Sequence, residues 1–336
     1  MRFRFLKATP FLKKGKYVSN ETGFLWYQKQ WKEKALSENK HLIQQQIYAN
    51  QHEIRANSKI GTRFRKIKQA LSDRRHCKRI TLKEHQQFFD GDAAILTRSL
   101  GNGKIINYEK KEILSFFASE ERMQEILEKR QIWQSFGFSV PEIFQIDEEH
   151  RFLIESLIEK QVFSPEQGFD FVTKDLLRYQ MTPDLGTVPP LSQEELAKKV
   201  EGLKKVSDLW GGVPMVIDFV QSKNYVRRIC HGDMYRNNLM FDGEKFYYID
   251  FELLAPRVFF LDVMFYMTNE FLQYNNDTLL KNFFAGEYDV YLKDLFAANH
   301  SEFDPSLKQV YYFLALYEYF CECFETKIPE KLLKVL

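Results

Sequence analysis

A two-lobed α+β fold is predicted for this 336-residue chain, with a small β-rich lobe, a mainly helical lobe after it and a basic extension before it. Three observations predict it. Short apolar runs on either side of Gly101-Asn102-Gly103 have the length and punctuation of antiparallel strands. Apolar and aromatic residues beyond Asp262 fall at helical spacing. The charge also divides at Asp90: residues 1–90 hold 21 Lys and Arg against 7 Asp and Glu, and the remainder holds 27 against 39. That asymmetry marks a distinct N-terminal segment. The expected boundaries are 1–89 for the extension, 90–158 for the small lobe and 159–336 for the helical lobe.

Taken in order, residues 44–71 read as a helix whose surface carries Arg55, Lys59, Arg63, Arg65, Lys66 and Lys68. Residues 93–100 and 104–108 form a hairpin about the Gly-Asn-Gly turn. A strand over 112–117 precedes a helix over 119–136, where Ser119 is placed to cap and Glu120 and Glu121 complement the helix dipole. Residues 151–158 are an apolar strand with a polar end. A loop over 183–190 precedes a helix over 194–210, and short strands are expected at 226–229 and 246–249. Phe271, Tyr274, Phe283, Phe284, Tyr291, Tyr311, Tyr312, Tyr317, Tyr319 and Phe320 read as core.

The chemistry is concentrated in Cys230-His231-Gly232-Asp233-Met234-Tyr235-Arg236-Asn237-Asn238 and, after it, Tyr248-Ile249-Asp250-Phe251-Glu252. A lone His-Gly-Asp is a common turn, and a lone Ile-Asp-Phe is a strand end. Their conjunction is more specific, because each follows an apolar strand and Asp262 then opens an apolar helix. Phosphoryl transfer needs a carboxylate beside the attacking hydroxyl and oxygen ligands that hold Mg²⁺ against nucleotide phosphates. Asp233, Asn238 and Asp250 supply those groups. Glu252, two residues beyond Asp250 on an extended segment, points to the same side.

On these residues the chain resembles the aminoglycoside phosphotransferase and choline kinase-like families, relatives of the protein kinase-like fold. The match is strongest over residues 229–266. The resemblance implies that Asp233 is the catalytic base, that Asn238 and Asp250 are Mg²⁺ ligands, that His231 fixes the loop and that Asp262 bonds to the loop backbone. It implies ATP as the donor, bound through Gly101, Gly103, Lys104, Glu125, Glu155 and Leu157, with residues 155–157 as a hinge whose backbone meets the adenine. One feature departs from the family: the strand over 112–117 has no lysine to pair with a helix glutamate. Lys104, Lys110 or Lys111 would have to serve, with Glu125 or Glu128 as partner. The His-Gly-Asp sequence and the lack of an Ala-Pro-Glu segment argue against a protein kinase. The intact Asp233, Asn238 and Asp250 argue against a catalytically silent binding protein.

The implied acceptor is a small-molecule hydroxyl, first a sugar or glycan-linked intermediate, with choline-like alcohols and aminoglycosides as alternatives. No apolar run approaches the roughly 20 residues that cross a bilayer, and residues 1–6 lack a signal centre, so a cytoplasmic location is expected. Cys77, Cys230, Cys321 and Cys323 lack metal-ligand spacing and read as reduced thiols. The basic extension is open to three readings: packing on the acidic body, attachment to an anionic membrane at its inner face, or contact with an anionic substrate or nucleic acid. Phe3, Phe5, Phe11, Phe24, Trp26, Tyr27 and Trp31, interleaved with Lys and Arg, suit the membrane reading. No nucleic-acid module accompanies the charge.

Overall fold

The computed structural model describes residues 11–12, 15–19, 24–27, 78–82, 88–96 and 102–336. The basic helix expected over 44–71, Gly101 and Cys77 lie outside these residues. The chain divides into two compact units. One comprises the described residues up to Leu127 together with Pro141–Ile158, and the other comprises Glu128–Val140 and Glu159–Leu336.

The first unit is built on an eight-stranded antiparallel sheet. Its strands are β1 (Gly15–Ser19), β2 (Phe24–Tyr27), β3 (Lys78–Leu82), β4 (Ala93–Leu96), β5 (Gly103–Asn107), β6 (Glu112–Phe116), β7 (Ile143–Asp147) and β8 (Phe152–Ser156), in the order β3-β1-β2-β4-β5-β6-β8-β7. Three of these strands come from before residue 90, so the sheet is not confined to residues 90–158. The β4–β5 hairpin sets Ala94 opposite Ile105, and the same row continues through Leu114 to Ile154. Because strand side chains alternate, this row packs with Leu12, Phe89, Phe116 and Phe152, while Ala93 and Ile106 form a cluster on the other face. Phe11, one of the aromatic residues that suit a membrane surface by composition, is only 6% exposed and stacks on Phe116 at 5.5 Å. Its ring belongs to the core, where burial stabilises it.

Helix α1 (Glu120–Ser135) begins where Ser119 Oγ accepts a hydrogen bond from Arg122 N at 3.2 Å. Met123 and Leu127 pack beside Leu153, and Trp133, two turns further on, is fully buried in the core of the second unit.

The second unit is mainly helical: α2 (Pro165–Met181), α3 (Gln193–Lys205), α4 (Val213–Gln221), α5 (Leu261–Tyr274), α6 (Thr278–Ala285), α7 (Asp289–Ala298), α8 (Lys308–Leu316) and α9 (Glu330–Leu333). Capping boxes start two of them, Ser164 with Gln167 on α2 and Ser192 with Glu195 on α3. Helix α3 stops at Lys205 instead of running to Trp210, since Val206 N–H bonds back to Leu203 O in a tightened last turn and Trp210 packs on Phe313. Helix α8 continues into a π-helical segment, Tyr317–Cys323. Phe283, Tyr311 and Tyr312 are fully buried, as their helical spacing predicts.

Two short strand pairs position the functional loops. Strand β9 (Arg227–Cys230) pairs with β12 (Ala255–Val258), and β10 (Leu239–Phe241) pairs with β11 (Phe246–Tyr248). The second hairpin sets Leu239 opposite Tyr248. The residues just outside it, Asn238 and Ile249, therefore meet, with Ile249 N donating to Asn238 O at 3.1 Å.

Candidate active site

The loop that leaves β9 is fixed by a buried carboxylate in the first turn of α5. Asp262 Oδ2 accepts from His231 N at 2.8 Å and its Oδ1 accepts from Gly232 N at 2.9 Å. Burial pushes the Asp262 carboxyl up to about 6, while the two amides and the Arg257 charge pull it back down. Asp262 is not the helix cap, a position taken by Phe260. Gly232 has φ +78, and a Cβ there would lie 2.5 Å from the Leu253 carbonyl oxygen, so only glycine fits this turn. His231 is fully buried, and its Nε2 lies 3.1 Å from Ile249 O, tying the first loop to the second. Burial lowers its pKa to about 4, so the ring is neutral and Nε2–H is the donor.

Asp233 follows at once. Its Oδ2 accepts from Asn238 Nδ2 at 2.9 Å, and its Oδ1 accepts from the Tyr319 hydroxyl at 3.2 Å. Burial, then the negative charge of Asp250, raises its pKa to about 7 against the pull of those two bonds. Asn238 Nδ2 also donates to Asp233 O at 2.9 Å, which commits the amide nitrogen and turns Oδ1 to the other side. The short 3₁₀ turn Arg236–Asn238 is itself held from α5. Arg236 pairs with Glu270 at 2.8 Å and lies 3.9 Å over the Tyr274 ring, and Tyr274 OH donates to Asn237 Oδ1 at 3.0 Å.

Asp250 is exposed and sits at φ 68, in the left-handed region. Asp tolerates that conformation better than most residues, but it costs energy and is concentrated at functional positions. Glu252 is also exposed, and its carbonyl accepts from Lys129 Nζ at 2.7 Å.

The arrangement fits a divalent cation. Asp233 feels the Asp250 charge, Asn238 presents a carbonyl oxygen, and Asp250 adds a solvent-facing carboxylate. Among the described residues no three His, Cys, Asp or Glu side chains converge into a metal site. A cation held here would therefore draw its remaining ligands from phosphate and water, as Mg²⁺ commonly does.

Asp233, Asn238, Asp250, His231 and Asp262 are thus gathered at one place in the second unit. Gly103, Lys104, Glu125, Glu155 and Leu157 belong to the first unit. A Cβ on Gly103 would lie 2.6 Å from the Phe116 ring, so close packing alone requires that glycine. Lys104 makes no ion pair among the described residues, and Glu125 pairs with Arg122 at 2.5 Å. Glu155 is buried at 8% exposure in β8. The backbone donors expected at the hinge are already used, Ser156 N by Glu142 O and Leu157 N by Lys111 O, both at 2.8 Å.

Two further residues reach this loop. Tyr319 reads as core from sequence, and its ring does pack on Phe265 at 3.6 Å, but its hydroxyl holds Asp233. Lys160 donates to Arg236 O at 2.9 Å, and burial, aided by the Arg236 charge, lowers its pKa to about 8. No local pattern marks either residue.

No protein-family model matches the chain, and no curated protein matches it significantly. Solved structures that resemble it include an amicoumacin kinase, 12% identical over 71% of this chain and 86% of that one, with a TM-score of 0.42. A glucosamine kinase is 10% identical over 69% and 76%, with a TM-score of 0.43. The choline kinase LicA from Streptococcus pneumoniae is 16% identical over 74% and 84%, with a TM-score of 0.42. All three are kinases of small molecules.

Proposed function

We propose that this chain is a kinase that uses ATP and Mg²⁺ to phosphorylate a hydroxyl of a small molecule. The observation that carries the reading is the Asp233 carboxylate, gripped by Asn238 and Tyr319 and raised to about 7 beside Asp250. A carboxylate so placed is oriented to take the proton of an acceptor hydroxyl as its oxygen bonds to the γ-phosphorus and the bond to the ADP oxygen breaks. Its two hydrogen bonds fix which lone pairs face the acceptor, and positioning is the main demand of a loose phosphoryl-transfer transition state. Asp250 and the Asn238 carbonyl would hold Mg²⁺, which when bound neutralises phosphate charge. His231 and Asp262 keep the loop in register, acting through its backbone.

The acceptor proposed first is a sugar or glycan-linked hydroxyl, since a basic extension suits an anionic glycan; choline-like alcohols and aminoglycosides are the alternatives. The test is ATP consumption with Mg²⁺ across a panel of sugars, amino alcohols, aminoglycosides and glycan precursors, with the phosphorylated product identified by mass. A phosphorylated acceptor formed by the wild type and not by Asp233→Asn supports the reading. Absence of any Mg²⁺-dependent nucleotide binding overturns it in favour of a silent binding protein.

A further inference from the structure

On the second unit lies a cavity of about 410 Å³ that the phosphotransfer reading does not use. Its size is within the range of small-molecule sites. Lys199, Arg227, Arg257, Tyr225, Glu318 and Glu322 line it. The distribution of partners around it is uneven. Every carboxylate on its wall is already engaged: Lys199 Nζ lies 2.9 Å from Glu318 Oε1 and 2.7 Å from Glu322 Oε2. Glu318 also accepts from the Tyr225 hydroxyl at 2.9 Å and from Val258 N at 3.0 Å. Glu195, at the rim, accepts from Ser192 N at 2.7 Å in the capping box of α3.

Arg257 differs: its side chain has neither hydrogen bond nor ion pair among the described residues, and its Nε is buried without a partner. Arg227 Nε is also buried without a partner, although the rest of that guanidinium is engaged, reaching Pro189 O at 2.9 Å and Glu195 Oε1 at 3.7 Å. Arginine cannot shed its charge at physiological pH, so a buried unpaired donor on it is costly until an acceptor arrives. The carboxylates that feel the Arg257 charge are already held, Glu322 by Lys199 and Asp262 by the two loop amides.

We propose that this cavity binds a small-molecule oxyanion, a phosphate ester or a carboxylate, through Arg257 and Arg227. The planar guanidinium fork suits either group, and charge-assisted bonds to it are among the stronger hydrogen bonds in proteins. Glu318 and Glu322 lie on the same π segment as Tyr319. The anion would therefore sit against the segment whose hydroxyl holds Asp233.

Calorimetric titration of the full chain with inorganic phosphate, and separately with malonate, tests this in buffer free of Mg²⁺ and nucleotide. The expected result is one saturable site for at least one anion, and which anion binds distinguishes the two sources. Affinity should fall ~10- to 100-fold in Arg257→Gln and in Arg227→Gln, and should be unchanged in Asp250→Ala. Near-ultraviolet circular dichroism checks that each variant is folded; if Arg257→Gln is not, Arg227→Gln carries the same expectation. No saturable binding of either anion by the wild type overturns the proposal. So does unchanged affinity in the folded arginine variants, or loss of binding in Asp250→Ala, which would place the anion elsewhere.

Discussion

Replacing Tyr319 with Phe removes one hydroxyl and leaves the ring on Phe265 at 3.6 Å and beside Phe324 at 4.9 Å, so little packing is lost. The hydroxyl's bond to Asp233 Oδ1 favours the ionised carboxylate. Bonds to charged groups contribute about 1.5 to 3 kcal/mol, and at 3.2 Å this one belongs at the low end. Divided by the 1.36 kcal/mol that corresponds to one pH unit, the loss should raise the Asp233 pKa by about one unit above its value near 7. In the assay, kcat is followed against pH once an acceptor is identified. The acidic limb of the Tyr319→Phe profile should move about one pH unit towards alkali, with most activity recovered above pH 9. A limb that stays within a few tenths of its wild-type position would show that the tyrosine does not tune the base.

Other predictions follow from the same geometry. Asp262→Ala strips two buried loop amides, His231 N and Gly232 N, of their acceptor, and should destabilise the fold by about 2 to 5 kcal/mol in urea unfolding; a loss under 1 kcal/mol would mean the loop stands without it. Asp233 and Asp262 have folded pKa values raised above the ordinary carboxylate range, to about 7 and about 6. Between pH 4 and 7 the folded state therefore binds more protons than the unfolded chain, and these two groups make stability fall as pH rises through that window. Asp233→Asn removes its share of that loss, so its melting temperature should exceed the wild type's at pH 8, and equal values would contradict the burial argument. Asp250→Ala should abolish the Mg²⁺-dependent thermal stabilisation of the nucleotide complex, which at a hundredfold saturation is worth about 2.7 kcal/mol, and leave the fold intact because the side chain is exposed.

What sequence could reveal depended on how local the signal was. Asp233 and Asn238 are five residues apart and bond directly, and Asp250 follows the strand that pairs with β10. A loop after one strand and a residue after the next are compact patterns that a single chain displays. The β4–β5 hairpin and the Ser119 cap were legible for the same reason. Tyr319 lies 86 residues from Asp233 and reaches it from a π-helical segment. That backbone irregularity leaves no period to read, and the aromatic ring looks like any other core residue. Phe11 lies in a lysine-rich stretch that suits an interface by composition, but its ring packs on Phe116 and Phe152, contacts with residues more than a hundred positions away. The partners of the Ser156 and Leu157 amides, Glu142 O and Lys111 O, are set by non-local pairing that no local pattern displays.

The central claim is that Asp233 takes the acceptor proton, and the most direct test is kcat of Asp233→Asn alongside nucleotide affinity. Asparagine keeps the shape of the side chain but loses the charge. Catalytic bases contribute about 10² to 10⁴ in rate, roughly 3 to 5 kcal/mol at the barrier. The account predicts a loss of that order in kcat with Mg²⁺-nucleotide affinity within a few-fold of wild type. A kcat within a few-fold of wild type would contradict it and make Asp233 a structural residue of the loop.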